Sequence, residues 1–253
     1  MDKTHAQLNQ LAHNADACEQ SWSITESGIE KRVLFFFETS VQAAELIATA
    51  AVDLGLPKTL LSAWSSALPG ADAIGLALRC DRTSVRVYTQ YWEVLAARVD
   101  AGNLQPFPLY KGFKLLPSGK VRTDDYYCRP VAPKADFWPP MAQTFEAFGL
   151  DSAKSDAAFA DLDAETAICT RTLGAERTSW LTTVRRAQLD RAKFAEWAAP
   201  LAAREGGQAI VEALSQHDLV HLAGGTDTQK GPFLTIYLES SPSEVLAALA
   251  LAG

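Results

Sequence analysis

Apolar and polar positions alternate along residues 233–238: Leu234, Ile236 and Leu238 fall on one side of an extended chain, Thr235 and Tyr237 on the other. Period two marks a half-buried strand. The apolar segment 219–223 precedes it, and Gly, Asp, Lys and Pro lie between, so residues 219–238 predict a β-hairpin. The same form recurs upstream. Residues 22–38 turn at Ser27-Gly28 and return through Val33–Phe37, a run too short for a buried helix and suited to a strand covered on both faces. In 73–92, Ile74, Leu76 and Leu78 alternate with Gly75, Ala77 and Arg79. After Cys80–Ser84, Val85 and Val87 alternate with Arg86, Tyr88 and Gln90. Residues 109–129 turn at Pro117-Ser118-Gly119 into an unusually polar strand, and 166–186 turn near Gly174–Glu176.

Between these hairpins the apolar period lengthens to that of a helix. Helices are expected within 1–18 and over 41–54, 58–67, 93–101, 141–149, 153–162, 191–203, 209–215 and 245–252. Thr39 with Gln42 has the spacing of a capping box, Asp190 is placed to cap a helix, and Ser241-Pro242-Ser243-Glu244 is a start signal. Pro130–Pro133 and Trp138-Pro139-Pro140 read as an irregular link, with Trp138 a structural plug. The chain is thus about five helix-plus-hairpin units in one domain, residues 1–253, related by pattern and not by matched residues.

A hairpin cannot bury an apolar face alone; successive antiparallel hairpins joined edge to edge, then closed, lose their exposed edges. Helices between them would cover the apolar outside. The residues left for the inside are Arg79, Arg86, Tyr88, Gln90, Lys114, Arg122, Tyr126, Arg171 and Tyr237, wrong for a solid core, where each unpaired cation costs several kcal/mol. A barrel of about ten strands is wide enough for a solvent-accessible lumen. The expected fold is α+β: a ten-stranded antiparallel barrel ringed by helices.

Composition adds exclusions. The net charge of −7 over 253 residues argues against an extended nucleic-acid footprint without excluding a local basic pocket. Cys18, Cys80, Cys128 and Cys169 form no CxxC pair and read as four thiols of a cytoplasmic protein. The first residues lack an apolar signal core, and no run reaches the length of a membrane span. His217 and His221 have helical metal-pair spacing but straddle a helix-to-strand junction, so no metal site is assigned. Gly224-Gly225-Thr226 is a turn, with no lysine placed for a phosphate loop.

Repeated αββ units with inward cations and tyrosines two residues apart resemble the aromatic prenyltransferases of the ABBA barrel fold. Arg86-Val87-Tyr88, Thr235-Ile236-Tyr237 and the hairpin from Tyr110 to Tyr127 carry the likeness, over nearly the whole chain. The resemblance implies a prenyl diphosphate held inside the barrel by basic side chains, an allylic cation shielded by tyrosines, and a small aromatic acceptor. By strand parity Arg79, Arg86, Lys114, Arg122 and Arg171 are candidates for the anion site, Tyr88, Tyr126 and Tyr237 for the cation shield, and Asp124 for the base. Each has a plain alternative: solvated strand-end charges for Arg79 and Arg86, a surface pair across the hairpin for Lys114 and Arg122 with Asp124, half-buried strand tyrosines for the phenols. Asp124-Asp125 lacks the further Asp of a terpene-synthase magnesium motif, so Mg is allowed but not required. Two other functions stay open: a non-catalytic binding barrel, marked by few cations and an apolar lining, and an interaction protein, marked by an exposed patch at Leu246, Leu249 and Leu251 and no cavity. Oligomeric state is not legible.

Overall fold

The structure is a computed structural model and describes residues 3–162, 167–174, 176–184 and 190–250. The elements are α1 (Lys3–Asn14), β1 (Ala17–Thr25), β2 (Gly28–Glu38), α2 (Val41–Asp53), α3 (Lys58–Ala67), β3 (Ala73–Arg79), β4 (Val85–Gln90), α4 (Trp92–Asp100), β5 (Phe107–Leu115) and β6 (Val121–Cys128). There follow α5 (Lys134–Ala147), α6 (Ser152–Ala158), β7 (Ala167–Leu173), β8 (Arg177–Val184), α7 (Arg191–Ala198), α8 (Gly207–Gln216), β9 (Leu219–Asp227), β10 (Gly231–Ser240) and α9 (Pro242–Ala250). The ten strands pair antiparallel in chain order, and β1 pairs with both β2 and β10, which closes the barrel. The narrowest seam is β6 to β7, where only Tyr127↔Arg171 and Cys128↔Thr170 are in register.

Strand parity separates two faces. Val33, Phe35 and Phe37, with Ile74, Leu76, Leu78, Val85 and Val87, point outwards into a core shared with α1, α2, α3 and α9. On the opposite side Trp22, Ile24, Leu222, Leu234, Ile236 and Leu238 meet Phe145, Phe159, Phe194 and Trp197 from the α5–α8 layer. Phe145 stacks on Phe159 at 5.4 Å and meets Trp197 edge-on at 5.0 Å. Burying each such aromatic is worth about 2–3 kcal/mol, so the hydrophobic drive lies outside the barrel and its interior is left to polar groups. Leu249 is buried in the core shared with α1, α2 and α3, and Leu246 packs against it, so neither forms an exposed helix patch; Leu251 lies outside the described residues. Among the described residues no helix is long and apolar enough to cross a membrane.

Several boundaries differ from the pattern's prediction. β1 begins at Ala17, five residues before the expected Trp22, because Glu19, Gln20 and Ser21 are buried although polar. Ser40, not Thr39, caps α2, accepting from the Ala43 N–H at 3.1 Å. Asp190 and the Ser241/Glu244 pair cap α7 and α9 as expected. The expected link at 130–140 is helical from Lys134, with Pro139 and Pro140 inside α5. Of the fourth hairpin, Thr166, Ala175, Arg185 and Arg186 lie outside the described residues.

Candidate active site

The turn end of the lumen is a basic cup. A cavity of about 280 Å³ opens among Arg32, Arg79, Arg86, Arg122 and Arg177 and the hairpin turns around Pro117 and Thr228. Seven cations and three carboxylates line it, an excess of four on a chain whose net charge is −7. Glu30 bridges Arg32 at 2.8 Å, Arg79 at 3.0 Å and Lys230 at 3.2 Å. Burial alone would raise its pKa, but Arg32, Lys230 and Arg79 together pull it down to about 2. Arg79 also reaches Asp81 at 2.7 Å. Burial first, then the neighbouring Arg86, brings Arg32 down to about 10. Arg177 lies over the Phe233 ring at 3.8 Å, its pKa lowered by burial and by Arg122 and Arg86.

Deeper in, Arg86, Lys114 and Arg122 are direct register partners on β4, β5 and β6. Like charges placed opposite one another across strands are destabilising. Asp124 answers two of the three: its Oδ2 accepts from Lys114 Nζ at 2.5 Å and from Arg122 Nε at 3.1 Å. Lys114 also donates to the Tyr126 hydroxyl, and burial brings its pKa down to about 8. No carboxylate pairs with Arg86 among the described residues; its neighbours are the phenols Tyr88, Tyr237 and Tyr126. Burial pushes the Asp124 pKa up, but Lys114 and Arg122 outweigh it and hold the carboxyl below its usual range. An anion clamped by two cations is a poor proton acceptor, and in this geometry Asp124 is the counter-ion of Lys114 and Arg122.

Above the cations Tyr88, Tyr110, Tyr126 and Tyr237 surround a chamber of about 50 Å³ with Leu34, Phe36, Leu181 and His221. Two glycines make room for the rings. A Cβ on Gly112 would stand 2.9 Å from Tyr88, and one on Gly75 would stand 2.8 Å from Phe36, so both rings lie flat against the wall. Burial pushes the pKa of Tyr126, Tyr110 and Tyr237 up, so these phenols stay neutral and present their π faces and O–H groups.

Next to His221, which lines the chamber, lies Glu19 on β1, 3% exposed. His221 Nε2 stands 3.6 Å from its Oε1, while Oε2 is buried with no hydrogen-bond partner among the described residues. His217, by contrast, faces Glu244 at 3.4 Å, so the two histidines serve different places. Among the described residues no three His, Cys, Asp or Glu groups converge to hold a metal ion.

Of the residues named from sequence, Arg79, Arg86, Tyr88, Lys114, Arg122, Asp124, Tyr126 and Tyr237 come together around this lumen. Arg171 does not. It shares an outer register row with Tyr127 and Trp180 and is exposed. Its guanidinium donates to the Asp136 carbonyl at 2.8 Å. Pro140 has no N–H to satisfy that carbonyl within α5, so Arg171 completes the helix from outside the barrel. Sequence reasoning missed Arg32, Arg177, Glu19 and His221. The first two carried a signal, since Arg32 alternates with the outward Val33 and Phe35 and Arg177 is two residues from Ser179 on the face opposite Trp180; Glu19 lay before the expected strand start.

By sequence the chain matches no known family and no curated protein. Solved structures do match. The 5-dimethylallyltryptophan synthase from Streptomyces coelicolor superimposes with a TM-score of 0.61 at 17% identity, over 95% of this chain and 91% of that one. The chain has the ABBA barrel fold of the aromatic prenyltransferases. A structure of PriB in complex with product diphosphate aligns with a TM-score of 0.59 at 15% identity, covering 90% of this chain and 82% of that one. AnaPT from Neosartorya fischeri aligns at 0.50 and 9% identity, over 89% and 78%. The synthase has also been solved with DMASPP and Trp.

Proposed function

We propose that this ABBA-fold protein is an aromatic prenyltransferase, moving a prenyl group from an allylic diphosphate to a small aromatic acceptor. The observation that carries the reading is the row Arg86, Lys114 and Arg122 directly beneath the phenols, with no carboxylate paired to Arg86 among the described residues. A fold does not keep such a row for stability. A prenyl diphosphate brings about three negative charges near neutral pH, against the cup's excess of four. Ionisation breaks the C–O bond, and the electron pair leaves with the diphosphate, which preorganised guanidinium groups stabilise best away from water. The allylic cation left behind sits among Tyr88, Tyr126 and Tyr237, whose faces attract it and whose bulk keeps out water.

The acceptor's π electrons then form the new C–C bond, and the ring proton leaves as aromaticity returns. We assign its acceptor as Glu19, whose Oε2 has no hydrogen-bond partner among the described residues, in place of Asp124. A dry cavity of roughly 150 Å³ holds benzene, so the phenol chamber of about 50 Å³ opens when both substrates enter. The many cations also favour this reading over a carrier, whose lining would be mostly apolar. Thermal shift against dimethylallyl, geranyl and farnesyl diphosphates, with and without magnesium, tests it, followed by product analysis with indoles and phenols. No stabilisation by any diphosphate would sink the proposal.

A further inference from the structure

Four lumen side chains from four strands stand in one line: Glu19 on β1, His221 on β9, Thr183 on β8 and Tyr110 on β5. His221 Nδ1 is 2.8 Å from Thr183 Oγ1, which is 3.1 Å from the Tyr110 hydroxyl. The edge of the imidazole meets the Tyr237 ring at 5.6 Å and 89°, which fixes its plane. We propose that His221 is a positioning residue, held in one tautomer between Glu19 on one side and Thr183, backed by Tyr110, on the other, so that it engages Oε1 of Glu19 and leaves Oε2 for the acceptor's proton. This rests on the prenyl-transfer reading for its purpose, but not for its geometry.

The proton positions follow from the donors available. A carboxylate oxygen accepts, so the proposal puts the hydrogen on the ring nitrogen that faces Glu19. With Nε2 protonated, Nδ1 of the neutral ring accepts, so Thr183 donates to it. The Thr183 oxygen then accepts the Tyr110 O–H. Every hydrogen in the line points towards Glu19. The contact of 3.6 Å at Glu19 is just beyond hydrogen-bond reach, as is common for catalytic contacts before substrate draws them in. Other ionisable groups near the line are Glu239, paired in register with Glu19, and Tyr237. A glutamate has three rotatable bonds, and an unheld carboxylate would lose much of its orienting effect to rotation.

Two arms test this. Ring 15N chemical shifts of His221 in the unliganded protein need no activity. The Nε2–H tautomer is expected, turning into a mixture in Thr183→Val; a mixture already present in the native protein, or no change in the variant, overturns the proposal. The second arm uses dimethylallyl diphosphate with indole and counts prenylated product against prenyl alcohol from hydrolysis. His221→Leu should lower the transfer rate about tenfold or more, the value of one charge-assisted hydrogen bond, while hydrolysis of the donor continues. His221→Gln, whose amide N–H can still donate to Glu19, should restore most of the transfer. An unchanged ratio in His221→Leu, or no rescue by Gln, overturns it. If the native protein neither transfers nor hydrolyses the donor, the prenyl reading fails while the tautomer arm still decides the hydrogen-bond line.

Discussion

Replacing Arg86 by Met keeps the length of the stem and removes the charge, and it separates binding from folding because binding should weaken while the fold changes little in stability. Arg86 stands beside Lys114 in register and close to Arg32 and Arg177, with no carboxylate of its own among the described residues. Without ligand, its removal relieves the repulsion from Lys114 but also breaks its side-chain hydrogen bond to Tyr88, so the melting temperature should change little. With ligand, one charge-assisted contact is lost, worth about 1.5–3 kcal/mol, or roughly 10–150-fold in Kd. At a diphosphate concentration of about 100 times the native Kd, binding stabilises by about 2.7 kcal/mol, which for a chain of this size is about 5–10 °C. A variant binding about 30-fold more weakly retains about 0.9 kcal/mol at the same concentration, or about 2–3 °C. Calorimetric titration with inorganic diphosphate and a non-ionising prenyl thiolodiphosphate, at fixed ionic strength, gives Kd directly, and scanning fluorimetry gives both shifts. An unchanged Kd together with a ligand-free melting point several degrees lower would show that Arg86 holds the barrel and not an anion.

Lys114 gives a pH dependence. Its pKa lies near 8, below the ordinary 10.5, so diphosphate affinity should fall as pH rises through about 8, and Lys114→Arg should flatten that fall. The effect on stability has the other sign: between about 8 and 10.5 the unfolded chain binds the extra proton, so this group's contribution to stability rises with pH, which chemical denaturation at several pH values can read. Gly112→Ala places a methyl 2.9 Å from the Tyr88 ring, and should cost about 1–3 kcal/mol of overpacking with weaker donor binding, seen by denaturant titration and calorimetry. Burial pushes Cys18 up to about 11 and Cys128 and Cys169 up to about 12, with Cys80 raised as well. Native protein at pH 8 should therefore react slowly with iodoacetamide at all four thiols and fully after unfolding, as mass spectrometry would show.

How far the sequence reveals this lumen depends on how unequal the two faces of each strand are. In β3 and β4 the outer positions are Ile, Leu and Val except for Thr89, while the inner ones are small, charged or phenolic except for Gln90, so parity is plain and Arg86 and Tyr88 are placed by it. In β7 both faces are mild: Ile168, Thr170 and Thr172 on one, Cys169, Arg171 and Leu173 on the other. Nothing local says which side is in. Pairing decides it, because Arg171 shares a register row with Trp180, which the α5–α8 core claims. Across the same turn Arg177 points inwards by that register, although the two arginines look alike in sequence. Glu19 fails for another reason. A buried Glu-Gln-Ser run violates the hydrophobic rule on which strand boundaries are drawn, and its burial follows only from closure, which brings β10 and β9 against it.

That failure points back to function. A carboxylate with an unpaired oxygen, like a guanidinium with no counter-ion, is an expense that packing alone does not offset. Among the described residues Glu19 Oε2 has no partner and Arg86 has a hydrogen bond to Tyr88 but no carboxylate, and both face the lumen from neighbourhoods otherwise satisfied by hydrogen bonds and ion pairs. The anion-seeking member lies with the cations of the cup and the proton-seeking member next to His221, which lines the phenol chamber. A carrier for an apolar guest needs neither. A reaction that makes a diphosphate anion below the phenols and frees a proton above them needs both, in that order along the barrel.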